Sequence, residues 1–189
     1  MMSENQFWDL ISEAKTSTGS AKEIPDWLEG RLSQLPEAEI IDFAAWLATF
    51  MDRSNDEKLW AAATMVAGGL SDDGFVYFQC WLIAQGKDVY ESVLVNPDIL
   101  ARLKYSENGM FGPCIELEKL LYVSSEARWR KLDTPRHTKL DLPIGYTPPP
   151  GSHPERTQRK NVGFLKVKDP ELAALFPKLT ERFRNLMKP

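Results

Sequence analysis

Residues 57–83 decide the fold and have the sequence EKLWAAATMVAGGLSDDGFVYFQCWLI. The stretch 59–67 is apolar on almost every side, which predicts a helix buried in the interior rather than one with a solvent face. Gly68–Gly69 predicts its end, because glycine tolerates the left-handed backbone that closes a helix. Residues 71–73 predict the cap of a second buried helix, which ends near Gly86. The sequence therefore predicts two central helices.

Amphipathic helices are predicted on the N-terminal side of this pair. Ser3 and Gln6 form a capping box for a first helix, and Pro25 is placed to open a second. Pro36 precedes a third helix with one apolar side, formed by Ile40, Phe43, Ala44, Leu47 and Phe50. Its opposite side is predicted to be polar and carries Glu39, Asp42 and Thr49. Such helices need a common core, so we expect them to pack around the central pair.

Further helices are predicted on both borders of the central pair. Ser54 and Glu57 match a capping box for the first central helix. A short helix is expected over 89–95, and Asn96–Pro97 is placed to open another. A final long helix is predicted from Pro113 to about residue 131. The expected fold is a compact all-α domain of about seven helices over residues 1–131.

The C-terminal third has a different composition. Six prolines lie between residues 132 and 163 and disfavour both helix and central strand. Helical spacing returns at Leu172, and Pro177 predicts a break in that helix. We expect residues 132–189 to form a proline-rich, mostly irregular basic strap with a short terminal helix packed on the helical domain.

The net charge of −4 conceals a strong asymmetry. Residues 1–127 contain 9 Lys or Arg and 21 Asp or Glu, a net charge of −12, whereas residues 128–168 contain 10 and 3, a net charge of +7. Coulomb attraction predicts that the basic segment lies against the acidic body. Contact with nucleic acid is the weaker alternative, because the overall pI of about 5.3 is unlike that of a dedicated binder. Its candidate residues are Arg128, Trp129, Arg130, Lys131, Arg136, Lys139, Tyr146, Arg156, Arg159, Lys160 and Phe164.

The sequence offers no sign of a membrane span, a secretory signal or a metal centre. No run of about 18 apolar residues is present, and the N-terminus lacks a basic start followed by an apolar stretch. We therefore expect a cytoplasmic protein. Cys80 and Cys114, with His137 and His153, lack the short spacings of a zinc finger, so neither a metal nor a cofactor is expected.

Several short motifs resemble one bacterial family. They are Phe7-Trp8-x-Leu10-Ile11, Trp60-Ala61-Ala62-Ala63, Gly68-Gly69, Ser71-Asp72-Asp73-Gly74-Phe75, Tyr77-Phe78, Trp81-Leu82-Ile83, Gly86, Asn96-Pro97-Asp98 and Leu100-Ala101. Over about residues 3–105 the chain resembles the domain of unknown function 4240 family. The resemblance implies no activity and no catalytic residues. Gln79 stands where that family usually has an arginine after Tyr-Phe.

The residues around the start of the second central helix form a candidate binding pocket. Asp72 and Asp73 are the first residues of the predicted helix. Tyr77 and Trp81 follow Asp73 at i+4 and i+8, and Gln79 follows Asp72 at i+7, so each is expected on the same side of the helix as one of the acids. The candidate lining is Asp72, Asp73, Tyr77, Trp60, Gln79 and Trp81. Such a lining can bind a cation, an amine or a basic partner. The favoured alternative is that the two acids only cap the helix.

Two classes of function remain open from the sequence. No nucleophile elbow and no phosphate-binding loop is present, which favours a non-enzymatic protein-interaction or regulatory module with a protein partner. A bacterial immunity or accessory protein fits that description. The alternative is a small-molecule-binding protein or enzyme with an acidic pocket around Asp72 and Asp73. The sequence leaves the oligomeric state open.

Overall fold

The structure is a computed structural model, and it describes residues 1–105, 112–133, 147–152 and 170–183. Within these ranges the regular elements are helices and no strand is present. Seven of the described α-helices have nine residues or more, and all seven lie before residue 133, which confirms the predicted all-α class and agrees with the expected number of about seven helices. They are α1 (Glu4–Ser17), α2 (Ile24–Leu32), α3 (Glu37–Arg53), α4 (Glu57–Ala67), α5 (Asp72–Ala84), α6 (Lys87–Val95) and α7 (Val123–Leu132).

Helices α4 and α5 form the predicted central pair. Gly68 ends α4 with a left-handed φ of 74°, the conformation for which glycine is favoured. The Ser71 hydroxyl oxygen caps α5 by accepting from the backbone N–H of Gly74 at 3.1 Å. Phe78 is fully buried at the middle of α5. Both helices are therefore interior elements, as their sequence predicts.

The first helix also begins as predicted. The Ser3 hydroxyl oxygen accepts from the Gln6 backbone N–H at 3.3 Å, and the Gln6 amide oxygen accepts from the Ser3 backbone N–H at 2.8 Å. These two hydrogen bonds complete the capping box. Phe7 follows directly and is fully buried against Phe43 and Phe50 of α3, with ring centroids 4.7 and 5.0 Å away.

The predicted cap of α4 is wrong. Asp56 caps this helix by accepting from the Leu59 backbone N–H at 3.0 Å. Ser54 is fully buried, and its hydroxyl instead donates to the carbonyl oxygens of Phe50 and Met51. The hydroxyl thus closes the last turn of α3. Asp56 lies immediately before the first helical residue, where an acceptor reaches the free N–H groups directly.

The predicted polar side of α3 is also wrong for Asp42 and Thr49, which are both buried. The chain's first residues cover this side of the helix. The Met2 backbone N–H donates to the Asp42 carboxylate at 2.6 Å, and the Trp46 indole donates to the Met2 carbonyl at 2.9 Å. The Thr49 hydroxyl donates to the Ala45 carbonyl at 2.7 Å. These hydrogen bonds offset the cost of burying polar groups, so α3 is buried on two sides.

The long helix predicted from Pro113 begins later than expected. Residues 113–117 are non-helical, a 3₁₀ turn spans Glu118–Tyr122, and α7 begins only at Val123. The Leu117 backbone N–H donates to the Tyr77 carbonyl oxygen on α5 at 3.0 Å. This contact with α5 satisfies an amide that a helix would have paired locally, and so stabilises the non-helical segment.

The C-terminal residues described by the structure form two short helices, α8 (Pro170–Leu175) and α9 (Pro177–Phe183). The break predicted at Pro177 is confirmed. Helix α9 packs against α4 and the 3₁₀ turn Pro97–Arg102. Most of the proline-rich segment between Leu132 and Pro170 lies outside the described residues.

A row of aromatic rings connects the central pair to α9. Consecutive ring centroids along the row are 5.1 to 6.1 Å apart. Its members are Trp60, Phe75, Phe78, Trp81, Tyr105 and Phe183. Aromatic contacts of this kind stabilise a core beyond simple area burial. Across the described part of the chain, no helix has the length and apolar character needed to cross a membrane.

Candidate functional site

The predicted acidic pair lies at the start of α5. Asp72 and Asp73 are exposed, and the capping hydrogen bond is made by Ser71 rather than by either acid. Their negative charge still suits the helix N-terminus, where the free N–H groups carry partial positive charge. Neither carboxylate is therefore needed as the hydrogen-bonding cap, and both face solvent.

Tyr77 lies one turn below Asp73 and faces the same side. Partial desolvation raises the pKa of Tyr77, and the nearby Glu118 carboxylate raises it further through its charge and a hydrogen bond with the tyrosine. The charge of Asp73 and the neighbouring Tyr122 act in the same direction. The structure thus brings Asp73 and Tyr77 together and adds Glu118, a residue that the sequence analysis missed.

The non-helical segment 113–117 carries a second carboxylate, that of Glu116, to the first turn of α5. Ile115 and Leu117 are buried, whereas Glu116 and Glu118 are exposed. A Cβ atom at Gly74 would lie 3.3 Å from a Glu116 carboxylate oxygen, so Glu116 packs close to the first turn of α5. The alternation of apolar and acidic residues over 115–118 matches their alternating burial and is the sequence signal for this surface.

We call the resulting surface the acidic tyrosine face. Its members are Asp73, Tyr77, Glu116, Glu118 and Tyr122. Tyr122 leaves 49% of its surface exposed. No lysine or arginine within the described ranges forms an ion pair with the three carboxylates. Among the residues that the structure describes, the face therefore combines negative charge that has no cationic partner with exposed aromatic surface.

The other three predicted site residues lie elsewhere. Trp60 stacks on Phe75 in the aromatic row, with ring centroids 5.1 Å apart. Gln79 is fully buried and donates to the Met51 carbonyl at 2.7 Å and to the Ser54 hydroxyl at 3.2 Å. Trp81 lies on a third side of α5, where it lines a surface cavity. Gln79 thus links α5 to the end of α3 through buried hydrogen bonds, and its side chain does not line a pocket with Asp72 and Asp73.

Glu29 of α2 and Glu37 of α3 have cationic partners, unlike the carboxylates of the acidic tyrosine face among the described residues. Arg128 donates to Glu37 at 2.7 Å, and Arg130 donates to Glu29 at 2.6 Å. These two arginines belong to the basic residues that were considered for nucleic acid contact, and both point to acids of the helical domain. Most of the remaining basic candidates lie outside the described residues.

Two adjoining cavities lie on the opposite edge of the central pair. The first has a volume of about 240 Å³ and is lined by Lys15, Thr18, Gly19, Ser20, Ala21, Ile24, Trp81, Ala84, Gln85, Lys104 and Tyr105. The second has a volume of about 380 Å³ and is lined by Asn5, Trp8, Asp9, Ser12, Lys15, Gln85, Gly86, Lys87, Asp88 and Val89. Lys15 and Gln85 are common to both. The sequence analysis did not identify these cavities, because their walls come from segments far apart in the chain.

The residues that can ligate metals are scattered in the described part of the chain. No group of three or more histidine, cysteine, aspartate or glutamate side chains there is arranged to hold a metal ion. Cys80 is buried and Cys114 is half-buried, and both are reduced thiols. His137 and His153 lie outside the described residues.

Comparison with protein families identifies the relatives of this chain. The model of the family described as protein of unknown function (DUF4240) matches residues 2–128. The chain belongs to this family. The match covers α1 to most of α7, and so includes the acidic tyrosine face and both cavities. A search of curated proteins and a search of solved structures found no match. Membership in the DUF4240 family does not assign an activity to this chain.

Proposed function

We propose that this DUF4240 protein is a non-enzymatic interaction module that binds a basic segment of a partner protein through the acidic tyrosine face. The observation that supports the proposal is that Asp73 and Glu118 lie near Tyr77 and that Glu116 packs against the first turn of the same helix, with no described cationic partner for the three carboxylates. Two separate segments of the chain contribute to this cluster. The negative charge is therefore concentrated by the fold rather than by one acidic run.

Charge complementarity indicates the chemistry of the partner. Residues 1–127 carry a net charge of −12. Arg128 and Arg130, which follow this region, form ion pairs with Glu37 and Glu29 and so neutralise part of the charge at α3 and α2. A lysine- or arginine-rich segment would gain attraction at the acidic tyrosine face and faster association at low salt. An acidic or strongly anionic partner would be repelled.

The two tyrosines add the contact area that charge alone does not provide. Tyrosine is enriched at protein interfaces because it offers a large ring with a polar tip and few rotatable bonds. Tyr122 is about half exposed, and Tyr77 is half-buried beside it. An arginine of the partner can stack on these rings while its guanidinium pairs with a carboxylate.

The proposal can be tested with a synthetic peptide of alternating arginine and leucine residues, followed by fluorescence anisotropy. We expect saturable binding that weakens with salt. The double variant Asp73→Asn/Glu118→Gln should weaken it about tenfold, as the loss of two close charge pairs implies. The matched control Asp9→Asn/Asp88→Asn removes the same charge from other exposed positions and should change the affinity less than about twofold.

The following results of the binding experiment would contradict the proposal. Equal weakening by both double variants would show that only net charge matters and would overturn the proposal. Full binding by Tyr122→Ala together with Tyr77→Ala would overturn the role of the tyrosines. A photo-crosslinking residue at position 122 tests the natural partner in cells: the proposal requires a cross-linked protein with a basic contact segment, lost in the Asp73→Asn/Glu118→Gln background.

A further inference from the structure

Helices α8 and α9 lie on the helical domain as a bound amphipathic helix does. Their buried side chains recur at positions i, i+4, i+7 and i+11, the spacing of one helical side. These side chains are Leu172, Phe176, Leu179 and Phe183, and none is more than 7% exposed. The residues between them are exposed or half-buried. The segment therefore contacts the domain through one apolar side.

The surface that receives this segment is formed by two elements that also contact each other. Helix α9 packs against α4 and the 3₁₀ turn Pro97–Arg102, and α4 and this turn pack together directly. The turn also packs against α6. We call the surface between α4 and the turn the terminal groove. Because its walls are joined without α9, we expect the groove to persist when α9 leaves.

The groups of the turn that face α9 are held in place by contacts of their own. The Asn96 side chain accepts from the backbone N–H of Asp98 at 3.1 Å and so positions this residue at one end of the groove. The Tyr105 hydroxyl donates to the Leu100 carbonyl at 2.7 Å. Groups that are fixed before a ligand arrives lose less entropy when it binds. The terminal groove is therefore preorganised.

Two sets of polar contacts define what the groove recognises. The Asp98 carboxylate accepts from two backbone N–H groups at the start of α9, which any helix N-terminus offers. The Arg182 guanidinium donates to the Ala101 and Leu103 carbonyl oxygens at 2.6 and 2.7 Å. It also lies 5.0 Å from the centre of the Tyr105 ring. The groove thus suits a helix with an arginine next to its last apolar residue.

The helix pair depends on the groove more than the groove depends on the pair. Helices α8 and α9 have six and seven residues. Isolated helices shorter than about 12–15 residues are marginal in water. The family match ends at residue 128, so it includes both walls of the terminal groove and excludes α8 and α9. The groove therefore belongs to the family domain, whereas the helix pair lies beyond it.

A second copy of this chain is a poorer occupant of the groove than a foreign helix. In each copy, α8 and α9 already fill the groove of their own chain. Exchange between two copies would create no new contact and would cost the translational freedom of one molecule. A foreign helix that makes better contacts can displace α8 and α9 with a net gain.

We propose that the terminal groove binds an amphipathic helix of a partner protein, and that α8 and α9 close it until such a helix displaces them. The partner helix has apolar residues at i, i+4, i+7 and i+11 and an arginine one position before the last of them. Its first backbone N–H groups donate to Asp98 in place of those of α9. The groove shares no residue with the acidic tyrosine face, and the inference does not depend on the partner proposed for that face.

A fluorescent peptide with the sequence of residues 170–183 serves as the probe, and anisotropy follows its binding to the full chain. Leu179→Glu places a charge at a fully buried anchor and should free the groove, so we expect this variant to bind the peptide saturably. The wild type should bind at least about tenfold more weakly, because its groove is open in only a small fraction of molecules. Leu175→Glu changes a side chain that is 52% exposed and should behave as the wild type.

Two further changes test the recognition contacts. In the Leu179→Glu chain, Asp98→Ala should weaken peptide binding about fivefold or more, since two backbone N–H groups of the peptide lose their acceptor. A control peptide in which the residues at positions 179 and 180 exchange places keeps the composition and breaks the apolar spacing. We expect this control peptide not to bind.

Several results would overturn the proposal. They are the absence of saturable binding by Leu179→Glu, equal binding by the wild type, and equal binding of the control peptide. Wild-type dimers that dissociate when the peptide is added would show that a second copy occupies the groove and would also overturn it. If Leu179→Glu fails to fold, a protease site inserted between residues 152 and 170 replaces it. After cleavage, the labelled peptide should displace the C-terminal fragment, and a fragment that does not exchange would contradict the proposal.

Discussion

The Asp98 carboxylate accepts a hydrogen bond of 2.9 Å from the backbone N–H of Leu179, 81 positions further along the chain. It also accepts from the backbone N–H of Lys178. Asp98 therefore caps α9 from a distant segment. In return, Arg182 of α9 donates to the carbonyl oxygens of Ala101 and Leu103. The two short elements thus satisfy each other's free backbone groups.

Replacing the distant cap should loosen α9. Asp98→Ala is expected to lower the free energy of unfolding by about 1–2 kcal/mol, because two backbone N–H groups lose their acceptor. Asp98→Asn keeps one acceptor oxygen and should cost less. Urea denaturation measures the free energy, and hydrogen exchange should show faster exchange at residues 178–179. Equal stability of the wild type and Asp98→Ala would contradict the capping role.

Leu179 should be the main apolar anchor of α9. It is fully buried, whereas Leu175 of α8 is 52% exposed. Leu179→Ala is expected to lower the free energy of unfolding by about 2–4 kcal/mol through lost burial and the cavity left behind. Leu175→Ala is the matched control and should change it by less than about 0.5 kcal/mol. Similar, small effects of both variants in urea denaturation would show that α9 contributes little to stability.

Two glycine substitutions should change stability in opposite directions. A Cβ atom at Gly112 would lie 2.5 Å from the Val66 carbonyl oxygen at the end of α4, so Gly112→Ala should cost more than about 2 kcal/mol. A Cβ atom at Gly30 within α2 would meet nothing within 4 Å. Gly30→Ala should therefore stabilise by about 0.5–1 kcal/mol, because alanine favours helix. In thermal denaturation, Gly112→Ala should lower the melting temperature and Gly30→Ala should raise it.

Alkaline pH should destabilise the protein through its buried tyrosines. Burial raises the pKa of Tyr90 above its usual 10.0, despite the opposing effects of a Ser54 hydrogen bond and the Arg53 charge. The unfolded chain therefore releases this proton first, so the ionisation of Tyr90 leaves the free energy of unfolding unchanged below about pH 10 and lowers it above that pH. Each such tyrosine contributes a slope of about 1.4 kcal/mol per pH unit.

Tyr90→Phe tests this linkage. The variant should be about 1 kcal/mol less stable at pH 7, because the Tyr90 hydroxyl donates to the Phe50 carbonyl at 2.6 Å. Its stability should then fall less steeply than that of the wild type between pH 10 and pH 12. Part of the loss of stability at alkaline pH should remain in this variant, because burial also raises the pKa of Tyr105. Urea denaturation at a series of pH values measures both effects, and an unchanged slope would contradict the assignment.

The sequence by itself determined the local features of the fold. The capping box of Ser3, the end of α4 at Gly68, the cap of α5 within residues 71–73 and the break at Pro177 all follow from residues within a few positions of each other. Such signals act within one helical turn, and most of them are seen in the structure, but the Ser54–Glu57 capping box failed because Asp56 caps α4 instead. The apolar character of 59–67 likewise predicted burial, because no other placement removes all its sides from water.

Only the tertiary structure decided which side chains share a surface. The burial of Asp42 depends on Met2, and the acidic tyrosine face depends on a backbone contact between Tyr77 and Leu117. The cap of α9 comes from Asp98, 81 positions before Leu179. These relationships are set by the packing of distant segments, whose energy is absent from any local pattern. The sequence therefore determined the helices, whereas long-range packing determined the candidate sites.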